Sequence, residues 1–212
     1  AVHCLNIKNN SFEGGKYMKI FFDGANLDDL KQAIDWGFID GVTTNSWFLV
    51  REVKSGNYKE HIKKICDMAP DLPVSVYVAG DTAEILAERA REHVKIADNV
   101  VIKIPVIMQG IKAIKILKGE GIRTNATCCM TPLQAFLAAK AGAIFISPFV
   151  GRIETAYWDA FPQGELYKGM ELARQIRQIY DNYKFETEVL VAATRDVRMA
   201  VSYTHLRAHE TG

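Results

Sequence analysis

The feature that most constrains this chain is a regular alternation of short β-branched runs with amphipathic helical stretches. "KIFFDGA" (19–25) precedes "NLDDLKQAIDWG" (26–37), where Asn26 is placed to cap a helix and Gly37 to stop it. "GVTTN" (41–45) precedes the helical "NYKEHIKKICDMA" (57–69), and "PVSVYVAG" (73–80) precedes "DTAEILAERAREHVKIA" (81–97). "VVIKIP" (100–105) precedes "MQGIKAIKILKGEG" (108–121), and "RTNATCCM" (123–130) leads into "TPLQAFLAAKAG" (131–142), with Thr131 at the cap and Pro132 at the first helical position. "AIFISPFVG" (143–151) leads into "GELYKGMELARQIRQIYDNY" (164–183), and "TEVLVAAT" (187–194) into the start of a helix, "RDVRMAV" (195–201). Strict β–α alternation gives a parallel sheet with right-handed crossovers. No GxGxxG follows the first run and no GxxxxGK[ST] occurs, which weakens the nucleotide-binding doubly wound folds. The even spacing predicts an α/β fold, a (β/α)8 TIM barrel, with a flavodoxin-like sheet as the alternative.

A barrel of this kind places its chemistry at the C-terminal ends of its strands. Polar residues collect there: Asp23; Thr43, Thr44 and Asn45; Lys103; Asn125 and Thr127; Ser147 and Arg152; Thr194 and Arg195. Each alone reads as a turn or cap residue. Their recurrence at successive strand ends points to a site.

Lys103 is the sharpest of them. It sits among Val101, Ile102, Ile104 and Val106, in a run apolar enough to be buried on both faces. A strand lysine of this kind ordinarily snorkels to the rim and pairs with an acid. The alternation of side chains instead points this one into the barrel, where desolvation lowers the pKa of its ammonium. A neutral amine attacks carbonyls and forms a Schiff base, whose iminium draws electrons from the adjacent C–C bond. That chemistry calls for no metal and no bound cofactor, but it needs a general acid/base, and Asp23 is the strand-end carboxylate available.

Composition removes other classes. The net charge of +1, from 26 basic and 25 acidic residues, gives no electrostatic case for nucleic acid or a membrane surface. No apolar run approaches the roughly 18 residues of a membrane span. The four cysteines, Cys4, Cys66, Cys128 and Cys129, have no metal-ligand spacing and read as free thiols of a reducing cytoplasm.

In order and spacing, "FFDGAN", "DGVTTN", "VVIKIP", "GIRTNAT" and "SPFVGRI" resemble the small transaldolase / fructose-6-phosphate aldolase family over about residues 18–201. The resemblance implies a single-domain barrel enzyme of the class I aldolase type, acting on sugar phosphates and assembling as a homo-oligomer. Lys103 matches the Schiff-base lysine, Asp23 the acid/base aspartate, and Asn45 the asparagine that contacts substrate hydroxyls. Asn125 and Thr127 match positions near the iminium, the threonine helping to hold a catalytic water. Ser147 and Arg152 match substrate and phosphate positions. Thr194 matches a phosphate-binding serine, and Arg195 stands in for the basic residue after it. The function implied is cleavage or transfer of a dihydroxyacetone unit of fructose 6-phosphate or sedoheptulose 7-phosphate. The alternatives are aldol cleavage without transfer and a non-catalytic sugar-phosphate-binding protein.

Two stretches depart from the family pattern. The usual "TTNPS" is "TTNSW" here, with Ser46 and Trp47. Tyr77 stands where related transaldolases carry glutamate and fructose-6-phosphate aldolases glutamine, both able to bond the catalytic water. The aromatic stretch "ETAYWDAFPQG" (154–164) is extra and reads as an interface loop. Residues 1–17 have no clear period and read as translated leader ahead of a natural start at Met18. Residues 202–212 resemble translated adapter sequence. The expectation is therefore a barrel without its eighth strand and C-terminal helices, leaving the first and seventh strands with unpaired edges.

Overall fold

The computed structural model describes residues 18–53, 57–160, 168–194 and 209–211. Parallel strands β1 (Ile20–Asp23), β2 (Gly41–Thr43), β3 (Val74–Tyr77), β4 (Val100–Pro105), β5 (Thr124–Cys129), β6 (Phe145–Pro148) and β7 (Glu188–Val191) pair in sequence order. Helices α1 (Leu27–Trp36), α2 (Ser46–Glu52), α3 (Tyr58–Met68), α4 (Ala83–Val94), α5 (Met108–Gly119), α6 (Pro132–Ala141), α7 (Val150–Ala160) and α8 (Lys168–Tyr183) separate them. This is the α/β barrel architecture that the alternation predicts, and the flavodoxin-like alternative falls away.

The caps sit where the sequence marks them. Asn26 accepts from the amides of Asp28 and Asp29, Gly37 ends α1 in the left-handed region, and Thr131 forms a reciprocal capping box with Gln134 ahead of Pro132. Two segments depart from expectation. A short helix, α2, follows β2 directly, started by the Asn45 side chain accepting from the Phe48 amide. Residues 154–160, read as loop, belong to α7, because Val150, Gly151 and Glu154 form a buried stripe at helical spacing.

A three-residue strand, β8 (His209–Thr211), pairs parallel with β7 through Leu190↔His209 and with β1 through Phe21↔Thr211. The seven-stranded wall that the sequence predicts is present, and at its seam β1 and β7 are bridged by the backbone pairing of these three residues. Ladder hydrogen bonds are made by backbone groups, so an extended segment can close a sheet edge without the apolar alternation of a core strand. The start of the helix expected over 195–201 lies outside the described residues, as do residues 1–17.

The strands sort their side chains by parity. Val100, Ile102 and Ile104 of β4 join the main core, which includes Leu86 of α4 and Ala113, Ile114 and Leu117 of α5. Val101 joins a separate cluster with Phe21, Phe145 and Leu190, which fills the lower barrel interior. Phe21 meets Phe145 edge to face at 5.5 Å, and a Cβ at Gly41 would lie 2.2 Å from the Phe21 ring, so the plug needs glycine there. Two residues further along the same strands come Asp23, Lys103, Ser147 and Ala192, above this apolar floor. The parity that buries Val101 in the interior aims Lys103 the same way.

Candidate active site

Lys103 is 7% exposed. It pairs in register with Tyr77 of β3 on one side and Asn125 of β5 on the other. Its Nζ lies 3.4 Å from the carbonyl oxygen of Thr44, to which it donates. Burial pushes its pKa below the ordinary lysine value, while the Asp23 carboxylate, with a further contribution from the Cys128 sulfur, pulls it part of the way back. Asp23 closes β1, and its Oδ1 accepts a 2.6 Å hydrogen bond from the Thr43 hydroxyl. That bond holds the carboxylate at the end of β1, from where its charge acts on the Lys103 amine.

Beneath them runs a buried polar relay. The Ser147 hydroxyl donates to Asn125 Oδ1 at 2.9 Å, and Asn125 Nδ2 donates to the Ser75 hydroxyl oxygen at 3.1 Å. The Ser75 carbonyl in turn accepts from both the amide and the hydroxyl of Thr44, each at 2.9 Å. Strands β2, β3, β5 and β6 are thereby tied together around the lysine by groups that are almost fully buried. The relay satisfies the Asn125 amide on both sides and fixes its orientation.

Above the amine opens a cavity of about 680 Å3. Asp23, Asn45, Tyr77, Lys103, Thr127 and Arg152 all line it. Asn125 and Ser147 lie below the lining, in the relay. Thr194 follows β7, its buried hydroxyl without a hydrogen-bond partner among the described residues, and it does not line the cavity. Arg195 lies outside the described residues. Thr127 is 1% exposed and lines this cavity; apart from the neighbouring Cys128 thiol, its hydroxyl meets no hydrogen-bond partner among the described residues, as suits a group that bonds a ligand or a water. Burial raises the Tyr77 pKa, with Cys128 adding to the effect, so its phenol stays protonated and able to donate.

Sequence reasoning missed several lining residues. Cys128 lies next to Lys103 because its backbone takes φ +60°, a left-handed conformation that breaks the strand alternation. Burial raises its thiol pKa, and Lys103 and Arg152 partly counter that. Phe48 and Phe149 add aromatic walls, and the Arg152 guanidinium stands 5.7 Å from the Phe149 ring. Ser75 looked like an ordinary strand residue; only register shows that it faces Asn125. Among the described residues, no group of three His, Cys, Asp or Glu side chains is placed to hold a metal ion, and no helix is long and apolar enough to cross a membrane.

Comparison with known proteins places the fold and the family. The fold is similar to that of 2,3-dimethylmalate lyase, described as a member of the PEP mutase/isocitrate lyase superfamily. The TM-score is 0.62 at 13% identity, over 92% of this chain and 75% of that one, a likeness of fold alone. By sequence, a protein of Chlorobaculum parvum named probable transaldolase is 46% identical over 185 residues, 84% of this chain and 79% of that protein. Proteins with the same name from Desulfosudis oleivorans and Leptospira biflexa are 44% and 45% identical, each over 84% of this chain and 78% of the relative. The sequence profile of the transaldolase/fructose-6-phosphate aldolase family matches residues 20–206, which takes in every strand from β1 to β7 and the lysine at their centre. A barrel with a buried lysine above its floor is thus joined to sequence kinship along most of its length, and the chain belongs to the transaldolase/fructose-6-phosphate aldolase family of enzymes.

Proposed function

We propose that this enzyme moves a dihydroxyacetone unit from a ketose phosphate, fructose 6-phosphate or sedoheptulose 7-phosphate, to an aldose phosphate through a Schiff base on Lys103. The observation that carries the reading is the Lys103 amine, desolvated in the barrel interior yet lining a cavity beside Asp23. The neutral amine adds to the ketose carbonyl, water leaves, and an iminium forms. Asp23 then accepts the proton of the hydroxyl one carbon beyond the scissile bond. As that hydroxyl becomes a carbonyl, the C–C bond breaks, its electrons flow to the iminium nitrogen, and the aldehyde product departs. The remaining enamine attacks an acceptor aldehyde, or is protonated and hydrolysed.

The other residues hold this reaction in register. Arg152 holds the phosphate, with Thr194 and Arg195 completing that end. Asn45 contacts substrate hydroxyls. Thr127 and Tyr77 hold the water used in imine exchange, and Asn125 and Ser147 fix the polar surroundings of the amine from below.

Aldol cleavage without transfer is the second reading, left open by Tyr77, a phenol that is neither the glutamate of the related transaldolases nor the glutamine of the aldolases. Fructose 6-phosphate incubated with and without erythrose 4-phosphate separates the two. Transfer predicts sedoheptulose 7-phosphate, with glyceraldehyde 3-phosphate released much faster when the acceptor is present. Equal release in both incubations supports simple cleavage. Either activity persisting in Lys103→Met overturns the assignment of the nucleophile.

A further inference from the structure

The cavity carries a nucleophile that the reaction above leaves unused. In a regular strand, Thr127 and Cys128 would face opposite sides of the sheet. Here the register of β5 with β6 shifts between Ala126 and Cys129, and Cys128 takes φ +60°. Both side chains therefore line the cavity, an irregularity that re-aims one of them. Of the described cysteines, Cys66 and Cys129 are buried, whereas Cys128 is half-buried and open to whatever the cavity holds. Its surroundings are built for a ligand. Thr127, 1% exposed, bonds the sulfur, and its hydroxyl meets no other partner among the described residues. The charges of Lys103 and Arg152 both act on the sulfur, and both side chains line the same cavity. A thiol thus stands between an amine suited to a carbonyl and a guanidinium suited to a phosphate.

We infer that Cys128 is a second covalent site in this cavity, which holds short phosphorylated aldehydes reversibly as hemithioacetals. This inference rests on the reading of the cavity as a sugar-phosphate site. An aldehyde whose phosphate lies on Arg152 is confined beside the thiol, and confinement raises its effective concentration there. In the step itself, the sulfur attacks the aldehyde carbon, a C–S bond forms and the π bond of the carbonyl breaks. The Lys103 amine takes the thiol proton and passes it to the new alkoxide oxygen. The net change is addition of S–H across C=O, with no leaving group, oxidant or reductant. A ketone is more hindered and less electrophilic, so the ketose goes to the amine and the aldehyde to the sulfur. Free aldehyde phosphate then occupies the cavity and keeps the ketose from Lys103, and it is released as its concentration falls.

The experiment adds glyceraldehyde 3-phosphate, labelled with 13C at the aldehyde carbon, to the parent, Cys128→Ser, Cys128→Ala and Lys103→Met. The parent should show a protein-bound sp3 carbon upfield of the free hydrate. Lys103→Met should keep that signal, because the amine speeds the addition without entering the product, and both Cys128 variants should lose it. In parallel, inhibition of fructose 6-phosphate turnover by glyceraldehyde 3-phosphate is measured. Cys128→Ala should raise the inhibition constant about tenfold, while borohydride trapping of fructose 6-phosphate on Lys103 stays unchanged. No bound sp3 carbon in the parent, a signal that survives in Cys128→Ser, a signal lost in Lys103→Met, or an unchanged inhibition constant in Cys128→Ala each overturns the inference. Failure of borohydride trapping in a parent that still shows the sulfur adduct strikes the Schiff-base reading instead and supports the aldehyde site.

Discussion

The packing of α5 onto β4 makes a prediction with its control in the same helix. Gly110 lies in the first turn of α5, and a Cβ built there would lie 1.9 Å from the backbone oxygen of Pro105, about 1.5 Å short of ordinary contact. That oxygen already accepts from the Ile107 amide at 2.9 Å, and Pro105 pairs in register with Thr127. Backbone on both sides cannot rotate aside as a side chain could, so α5 or the end of β4 must move. Alanine is worth about 1 kcal/mol more than glycine in a helix interior. Overpacking of a filled core costs about 1–3 kcal/mol, and a clash with backbone belongs at the upper end. Gly110→Ala should therefore destabilise the protein by about 2 kcal/mol net. At Gly119, the last residue of the same helix, nothing lies within 4 Å of the added carbon. Gly119→Ala should stabilise by about 0.5 kcal/mol through the propensity term and the smaller entropy of the unfolded chain. Equilibrium urea unfolding of both variants beside the parent reads the difference directly, and thermal melts should separate the two by roughly 5–10 °C. Equal stability of the two variants would refute the close approach of α5 to Pro105. Because Pro105 ends the strand that carries Lys103, Gly110→Ala should also lose activity beyond its loss of stability, and Gly119→Ala should not.

Further outcomes follow from the site. Lys103 has a lowered pKa, so Schiff-base formation should rise with pH and level off at a midpoint below the ordinary lysine value. Stability should rise with pH through the window between its folded and unfolded pKa values, since the folded state disfavours the proton there. Asp23 opposes this shift, so Asp23→Asn should move the midpoint of borohydride trapping further down while slowing turnover; a midpoint moved upward counts against their electrostatic pairing. Tyr77→Phe should leave the melting temperature within about 2 °C and reduce kcat if the hydroxyl holds the catalytic water, and unchanged kcat would show the hydroxyl to be idle. Ser75→Ala leaves a buried Asn125 N–H without its acceptor and should cost about 1–3 kcal/mol in urea unfolding; a neutral effect would mean that the relay does not orient Asn125.

How much of this could be read from the sequence depended on which signals were local. Caps at Asn26 and Thr131 and the stop at Gly37 are set by one or two residues and were legible. The inward aim of Lys103 followed from strand parity, because "VVIKIP" is a regular strand throughout its length. The site lost legibility where regularity fails or where pairing decides. The left-handed backbone at Cys128 turns the thiol into the cavity against the strand alternation, and no residue type announces that conformation. Ser75 gains its meaning only from register with strands 26 and 50 residues away in sequence, since β3 faces β4 and its side chain meets Asn125 across the interior. Trp47 was visible as a departure in "TTNSW", but its place on a cavity wall depends on α2, a seven-residue helix begun by the Asn45 side chain. β8 was unreadable for a different reason: its pairing with β1 and β7 is made by backbone, and the sequence "HET" has no core alternation to betray it.

The central claim is that Lys103 is the group that becomes covalently attached to the ketose. The most direct measurement is borohydride reduction of the enzyme mixed with fructose 6-phosphate, followed by proteolysis and mass spectrometry of the peptide spanning "VVIKIP". The account predicts a reduced adduct on Lys103 alone, carrying the dihydroxyacetone unit or the intact ketose. Lys103→Met, an apolar side chain of similar length in an apolar strand, should keep the parent's cooperative melt and form no adduct. An adduct on another lysine, or turnover that survives borohydride and requires a divalent metal, would contradict it.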